Sequence, residues 1–150
     1  MSELLTKSRA RNVFYGGSIF FVVVFVALTA QSHRHIVDKA TAGMPLTEEV
    51  RLGKHVWERH SCINCHTLHG EGAYFAPEVG NVMTRWGAQG DPELAYEILD
   101  GWMKAQPSGI EGRRQMPHFE ITEEEMRALA EFLRWADQTD TQNWPPNDAG

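Results

Sequence analysis

Residues 62–66 read Cys62-Ile63-Asn64-Cys65-His66. This is C-x-x-C-H, the attachment signature of a c-type haem. Two thiols three positions apart share one turn of backbone, and each can add to one vinyl group of the porphyrin. The imidazole that follows at once is held against the iron as an axial ligand. C-x-x-C alone also occurs in zinc sites and redox disulfides. The adjacent histidine favours haem, and these are the chain's only two cysteines, so no second pair exists to complete a Cys₄ zinc site. A thioredoxin-like motif belongs in a βαβ setting, whereas the flanks here read as helix and loop.

Upstream of the motif, Thr47 predicts a helix start: it is a good N-cap, with Glu48 and Glu49 in the turn where the helix dipole favours acids. Val50, Gly53, Val56, Trp57 and His60 follow at helical spacing, so the helix is expected to run to about Ser61 and deliver the chain into the motif. Residues 67–90 are rich in Gly and turn formers and predict a loop wrapped over the haem. Asp91-Pro92-Glu93 joins an N-cap to Pro at the first helical position. Leu94, Ile98, Leu99 and Trp102 then supply an apolar face to about Ala105. Residues 106–119 predict loop again. Thr122-x-x-Glu125 is a capping box, opening a helix with Met126, Leu129, Ala130 and Leu133 on one stripe and an end near Ala136. No period-2 strand and no internal repeat stands out, so the expected class is all-α.

His66 requires a partner on the other haem face, and the chain holds six methionines. Met1 and Met44 precede the domain. Met126 lies in the last helix's apolar stripe, where Met usually fills core. Met83 and Met103 sit near or in the middle helix. Met116 is best placed: it lies in a loop 50 residues after His66, before Pro117 and just ahead of the last helix. His118 is its competitor, and His69 is too near His66 to reach the opposite face. Thioether ligation raises the potential relative to a second imidazole. An iron with both axial positions filled has no vacancy for substrate, so such a domain moves electrons. Arg113 and Arg114, beside Met116, are candidates to neutralise haem propionates or else are exposed loop residues.

Near the N-terminus, Val13 to Ala30 is a run of 18 residues without a charge. As a helix it spans about 27 Å, near the thickness of a bilayer's hydrocarbon core. A cleaved signal peptide is the rival reading, but the best cleavage point, after Ala30, has Leu28 where a small residue is wanted. An uncleaved anchor is therefore expected. Lys7, Arg9 and Arg11 precede it, and the positive-inside bias puts them in the cytoplasm and the haem domain outside. Haem attachment at C-x-x-C-H in bacteria takes place on that same outer side. Gly16, Gly17 and Ser18 form a small-residue patch that would let another membrane helix approach closely. The expected organisation is a cytoplasmic N-terminus over 1–12, a transmembrane anchor over 13–32, a linker over 33–46, a haem domain over 47–138 and a tail over 139–150. His33 and His35 are read as solvated linker residues.

The whole chain has 14 Lys plus Arg, 20 Asp plus Glu and a formal charge of −6. Setting aside Lys7, Arg9, Arg11 and Glu3 leaves 11 basic and 19 acidic residues, a formal −8, on residues 13–150. That argues against a nucleic-acid partner, which demands a basic face. It suits steering of a positively patched redox partner.

Several segments carry a resemblance. In class I cytochromes c a proline carbonyl after the haem motif accepts the other ring N–H of the axial histidine, and Ala76-Pro77-Glu78-Val79 resembles that segment. GEGAYFAPEVGNV (70–82), WMKAQPSG (102–109), GRRQMPHF (112–119) and TQNWPP (141–146), with the N-terminal anchor, look like the cytochrome c subunit of bacterial nitric oxide reductase. The resemblance covers essentially the whole chain. It implies a class I cytochrome c domain behind a single transmembrane helix of the bacterial inner membrane, with one covalent haem c and the haem domain periplasmic. It implies a large catalytic subunit with haem b, haem b3 and non-haem iron, which reduces nitric oxide to nitrous oxide in denitrification. This chain would accept electrons from a soluble cytochrome c or a cupredoxin, pass them to haem b, and hold no catalytic site itself. The family's distal ligand falls on Met116. Its interfacial calcium maps onto Gly72 and Tyr74. Two alternatives stay open: a monohaem subunit of a haem–copper oxygen reductase, and a free-standing anchored electron shuttle.

Overall fold

A computed structural model describes residues 6–41, 43–106, 110–112 and 114–142. The chain divides into two compact units, Met1–Ala40 and Thr41–Gly150. In the first, the Thr6 hydroxyl accepts a hydrogen bond from the Arg9 N–H at 3.3 Å and caps helix α1, Lys7–His35. None of its residues is buried. Phe14, Phe21 and Phe25 are each 69% exposed. A helix apolar all round and covered by nothing has the surface of a membrane span. Its 29 residues reach about 43 Å at 1.5 Å per residue, and it is long and apolar enough to cross a membrane.

The helix outruns the anchor expected over 13–32. It continues to His35 and then widens into a π-helical turn, Ile36–Ala40, so much of the segment expected to be an irregular linker over 33–46 is helical. Residues 31–40 hold no Gly or Pro, and Gln, Arg, Lys and Ala carry little helix penalty. The first breakers are Gly43, at φ +69°, and Pro45.

In the second unit three helices surround the core. Helix α2, Glu48–Arg59, is capped by the Thr47 hydroxyl, which accepts from Val50 N–H at 3.2 Å. It stops slightly short of the expected Ser61, because His60 closes it and Ser61 turns to φ +54°. Helix α4, Pro92–Ala105, starts where Asp91 accepts from the N–H groups of Glu93 (3.0 Å) and Leu94 (3.2 Å). Helix α5, Glu123–Asp137, has both arms of the capping box: Glu125 N–H to Thr122 hydroxyl at 3.3 Å, and Thr122 N–H to Glu125 carboxylate at 3.0 Å. Helices α2 and α5 meet at Gly53, where an added Cβ would stand 1.9 Å from the Ala128 carbonyl oxygen and 2.6 Å from Phe132 Cβ. Only a glycine permits that approach. The Trp57 and Phe132 rings pack beside it, 6.4 Å apart. Val50, Val56, Met83, Leu99, Met126, Leu129 and Leu133 complete the core.

The stretch expected as plain loop over 67–90 holds more structure. Strands β1, Thr67–Leu68, and β2, Glu71–Gly72, form an antiparallel hairpin with Thr67 opposite Gly72 and Leu68 opposite Glu71. Its two turn residues, His69 (φ +54°) and Gly70 (φ +82°), both take positive φ, as a type I′ turn demands. Two-residue strands are too short to leave an alternating pattern. Helix α3, Val82–Arg85, comes next. The Asp137 carboxylate reaches it from the end of α5, accepting from Thr84 N–H at 2.8 Å and Thr84 hydroxyl at 2.5 Å. That cap lies 53 positions along the chain, beyond the reach of local sequence rules.

Candidate haem site

Helix α2 ends at Arg59, and a 3-10 turn, Cys62–Asn64, carries the motif. The N–H groups of Cys65 (3.1 Å) and His66 (2.9 Å) both return to the Cys62 carbonyl. Both thiols and the imidazole therefore leave one tight turn, half-buried. The cysteines are unbonded to each other. Burial pushes the Cys62 thiol up to about 11, against the downward pull of a backbone hydrogen bond. Among the described residues no three His, Cys, Asp or Glu side chains cluster for a metal ion.

His66 Nδ1 lies 2.7 Å from the Pro77 carbonyl oxygen. A carbonyl only accepts, so Nδ1 is the protonated nitrogen and Nε2 keeps its lone pair for a metal. The Trp57 ring lies 6.4 Å from the imidazole.

The segment after the motif is laced back onto it. Ala73 N–H donates to Ile63 O at 3.0 Å, Ala76 N–H to Cys65 O at 2.8 Å and Val79 N–H to Thr67 O at 2.9 Å. Gly72 sits at φ +126°, and a Cβ there would lie 2.4 Å from the His66 carbonyl oxygen. Its smallness thus has a reason within this chain. Tyr74 is 74% exposed, and its hydroxyl donates to Gly70 O at 3.1 Å. Glu78, beside Pro77, is buried, and its carboxylate accepts from the backbone of His69, Gly70 and Gly80. Sequence reasoning missed Glu78 as a site residue: a Glu in a Pro- and Gly-containing loop reads as solvated, and only the flanking glycines hint otherwise.

In the later loop, Met116 is half-buried and His118 is exposed. Met83 and Met126 are buried in the core, and Met103 packs against it. The Arg114 guanidinium lies over the Phe75 ring, 4.8 Å from its centroid, and Nη1 donates to Phe75 O at 2.9 Å. Arg113, part of the 102–109 segment and most of 141–146 lie outside the described residues. The donor set fits a covalently held haem: two thiols on one turn, an imidazole already in the required tautomer, and a half-buried thioether in a later loop.

Residues 50–137 match the cytochrome c family. The C subunit of nitric oxide reductase from Cereibacter sphaeroides is 75% identical over 150 residues, covering the whole of both chains. The corresponding C subunit from Paracoccus denitrificans is 63% identical over the same full span. A cytochrome c oxidase subunit 2 of Alkalihalophilus pseudofirmus is 34% identical over 83 residues, which is 55% of this chain and 24% of that one. The oxidase likeness stops at about half the chain, whereas the reductase likeness includes the anchor, the haem motif and the tail; the chain belongs to the cytochrome c family and, within it, to the nitric oxide reductase C subunits.

Proposed function

We propose that this chain is the membrane-anchored, monohaem electron-transfer subunit of a nitric oxide reductase. The observation that carries the reading is the end-to-end likeness to nitric oxide reductase C subunits. Haem c, when bound, supplies a one-electron iron couple. Cys62 and Cys65 would hold it through thioether bonds, and His66 and Met116 would be its iron ligands. Pro77 keeps the imidazole ring in place through its 2.7 Å contact. Met116 is favoured over His118 because it is the half-buried one of the two. With both axial positions filled from this chain, bond chemistry belongs to a partner subunit bearing haem b, haem b3 and non-haem iron. That partner combines two nitric oxide molecules, two electrons and two protons into nitrous oxide and water.

The chain receives its electrons from a soluble cytochrome c or cupredoxin and passes them to haem b. The formal −8 downstream of the basic N-terminus supports a basic-faced donor. Lys7, Arg9 and Arg11 support a cytoplasmic N-terminus in the bacterial inner membrane and a periplasmic haem domain. For the interfacial calcium, Gly72 and Tyr74 lie on an exposed stretch that can offer oxygens. Calcium takes six to eight oxygen ligands, so the remainder would come from the partner. Glu78 is turned inward onto N–H groups and is not among them. Arg114 keeps guanidinium donors for a propionate beyond the one given to Phe75, and Arg113 is the companion candidate.

Purification of the tagged chain from membranes in mild detergent tests this reading. A stoichiometric polytopic partner and consumption of nitric oxide with a reduced soluble donor are expected. A chain that runs alone favours a free-standing shuttle, and oxygen reduction without nitric oxide reduction favours the haem–copper alternative; either result overturns the proposal. Tyr74→Ala is expected to impair assembly or electron transfer while leaving the haem spectrum intact. An unchanged complex with normal turnover would discard the interface role of Tyr74.

A further inference from the structure

Glu78 is the one buried carboxylate among the described residues, 5% exposed. Its Oε1 accepts from the N–H groups of His69 (2.8 Å) and Gly80 (2.6 Å), and its Oε2 from Gly70 N–H (3.0 Å). Among the described residues it makes no ion pair; Arg85 Nη2 donates to its carbonyl, at 2.6 Å, and not to its carboxylate. Burial acts to raise its pKa, but the donors at Gly70, Thr67, Gly80 and His69 outweigh it, and the net shift is downward. The group is therefore a carboxylate at neutral pH. Burying a charge is costly unless its lone pairs are satisfied, and here three backbone N–H groups converge on it.

Those donors belong to the two segments that must be held for the proximal ligand to be held. Residues 67–70 are the first strand and turn of the hairpin that leaves His66. Residues 77–80 carry the carbonyl that His66 Nδ1 meets at 2.7 Å, and Val79 N–H returns to Thr67 O at 2.9 Å. A Cβ on Gly80 would lie 2.7 Å from Glu78 Oε1 and 2.8 Å from His69 Nδ1, so the clasp closes only over a glycine.

We infer that Glu78 is a positioning residue for His66: its carboxylate, bonded to the N–H groups of His69, Gly70 and Gly80, ties the hairpin to the Pro77 segment and so holds the Pro77 carbonyl against His66 Nδ1. The inference rests on the haem reading of the motif. A firm Nδ1–H···O=C bond makes the imidazole a more basic ligand, which favours ferric iron. A fixed negative charge in the same loop acts in the same direction.

The test uses the intact complex. Glu78→Gln keeps the shape but sets an NH₂ group against a backbone N–H. It is expected to mature with wild-type covalent haem, to shift the haem c midpoint potential upward, and to speed amide hydrogen exchange at residues 69, 70 and 80. Glu78→Asp, which keeps the charge, is expected to lie between Glu78→Gln and wild type. A Glu78→Gln complex with full haem content and an unmoved potential overturns the inference. Should Glu78→Gln mature poorly, Gly80→Ala crowds the same carboxylate, and an unmoved potential there overturns it equally. A wild-type chain without covalent haem in a pyridine haemochrome assay would sink the haem reading itself, a result distinct from either.

Discussion

Two segments bring ligands to the proposed iron, and they are held in different ways. From His66 to Gly80 the backbone returns repeatedly to itself: Ala73 to Ile63, Ala76 to Cys65, Val79 to Thr67, and three N–H groups to Glu78. Among the described residues of 106–121, which carry Met116, the ties are made by side chains. Gln106 Nε2 donates to Trp102 O at 2.9 Å, Gln115 to Ile110 O, and Arg114 to Phe75 O. The imidazole of His66 is therefore pre-organised by backbone hydrogen bonds, while Met116, the proposed distal ligand, rides on a loop fastened by side chains. A backbone clash in the first should reach folding and haem attachment. Damage to the second should reach the spectrum and the potential and leave the fold standing.

The largest expected effect is at Gly72. Gly72→Ala places a Cβ against the His66 carbonyl at a φ that side chains rarely adopt, a strain of about 1–3 kcal/mol before the clash is relieved. Loss of most covalently haem-loaded protein is expected, measured as haem stain per chain; normal loading would undo the contrast from the proximal side. Next is Met116→Leu, a volume-conserving change expected to cost under about 1.5 kcal/mol in thermal unfolding. It should abolish the weak near-infrared band of His/Met ferric haem. Survival of that band would move the ligand elsewhere, and collapse of the fold would undo the contrast from the distal side.

Acid probes the same difference. Glu78, on the proximal side, has its pKa depressed. Glu125, which ties α5 to α2 through Arg59 at 2.6 Å, is held at about 2, first by the Thr122 N–H and then by Arg59. A carboxyl whose folded pKa lies below its unfolded value stabilises fully above the unfolded value and loses that contribution as pH falls through the folded one. For Glu125 the window runs from 4.5 down to about 2. Glu125→Gln should flatten the loss of thermal stability across that window, and an unchanged slope would exclude the group. The smallest effect is expected from Arg114→Gln, which removes an exposed cation–π contact worth about 0.5–1 kcal/mol. A shift in the distal ligand's spectrum without a matching loss of stability would show Arg114 setting Met116 rather than merely covering Phe75.

Much of the fold was legible because its signals are short-range. Thr47, Asp91-Pro92 and Thr122-x-x-Glu125 start their helices where expected, since each cap is satisfied within three residues. Gly53 and Trp57, four positions apart on one face of α2, mark the meeting with α5. The hairpin at 67–72, the extension of α1 past residue 32 and helix α3 were not legible. The hairpin is too short for a period, the extension has no breaker to mark its end, and the α3 cap comes from Asp137.

The amino-acid sequence by itself determined the C-x-x-C-H motif, the long apolar helix and the helix starts, because thiol spacing, hydrophobicity and capping act over a few residues. Tertiary structure alone decided what surrounds the imidazole. A glutamate becomes a buried clasp only when three N–H groups from two separate stretches of chain close over it, and a carbonyl becomes a ligand's partner only when the loop between them is folded back to 2.7 Å. Those are properties of the closed loop, and no single residue in it carries them.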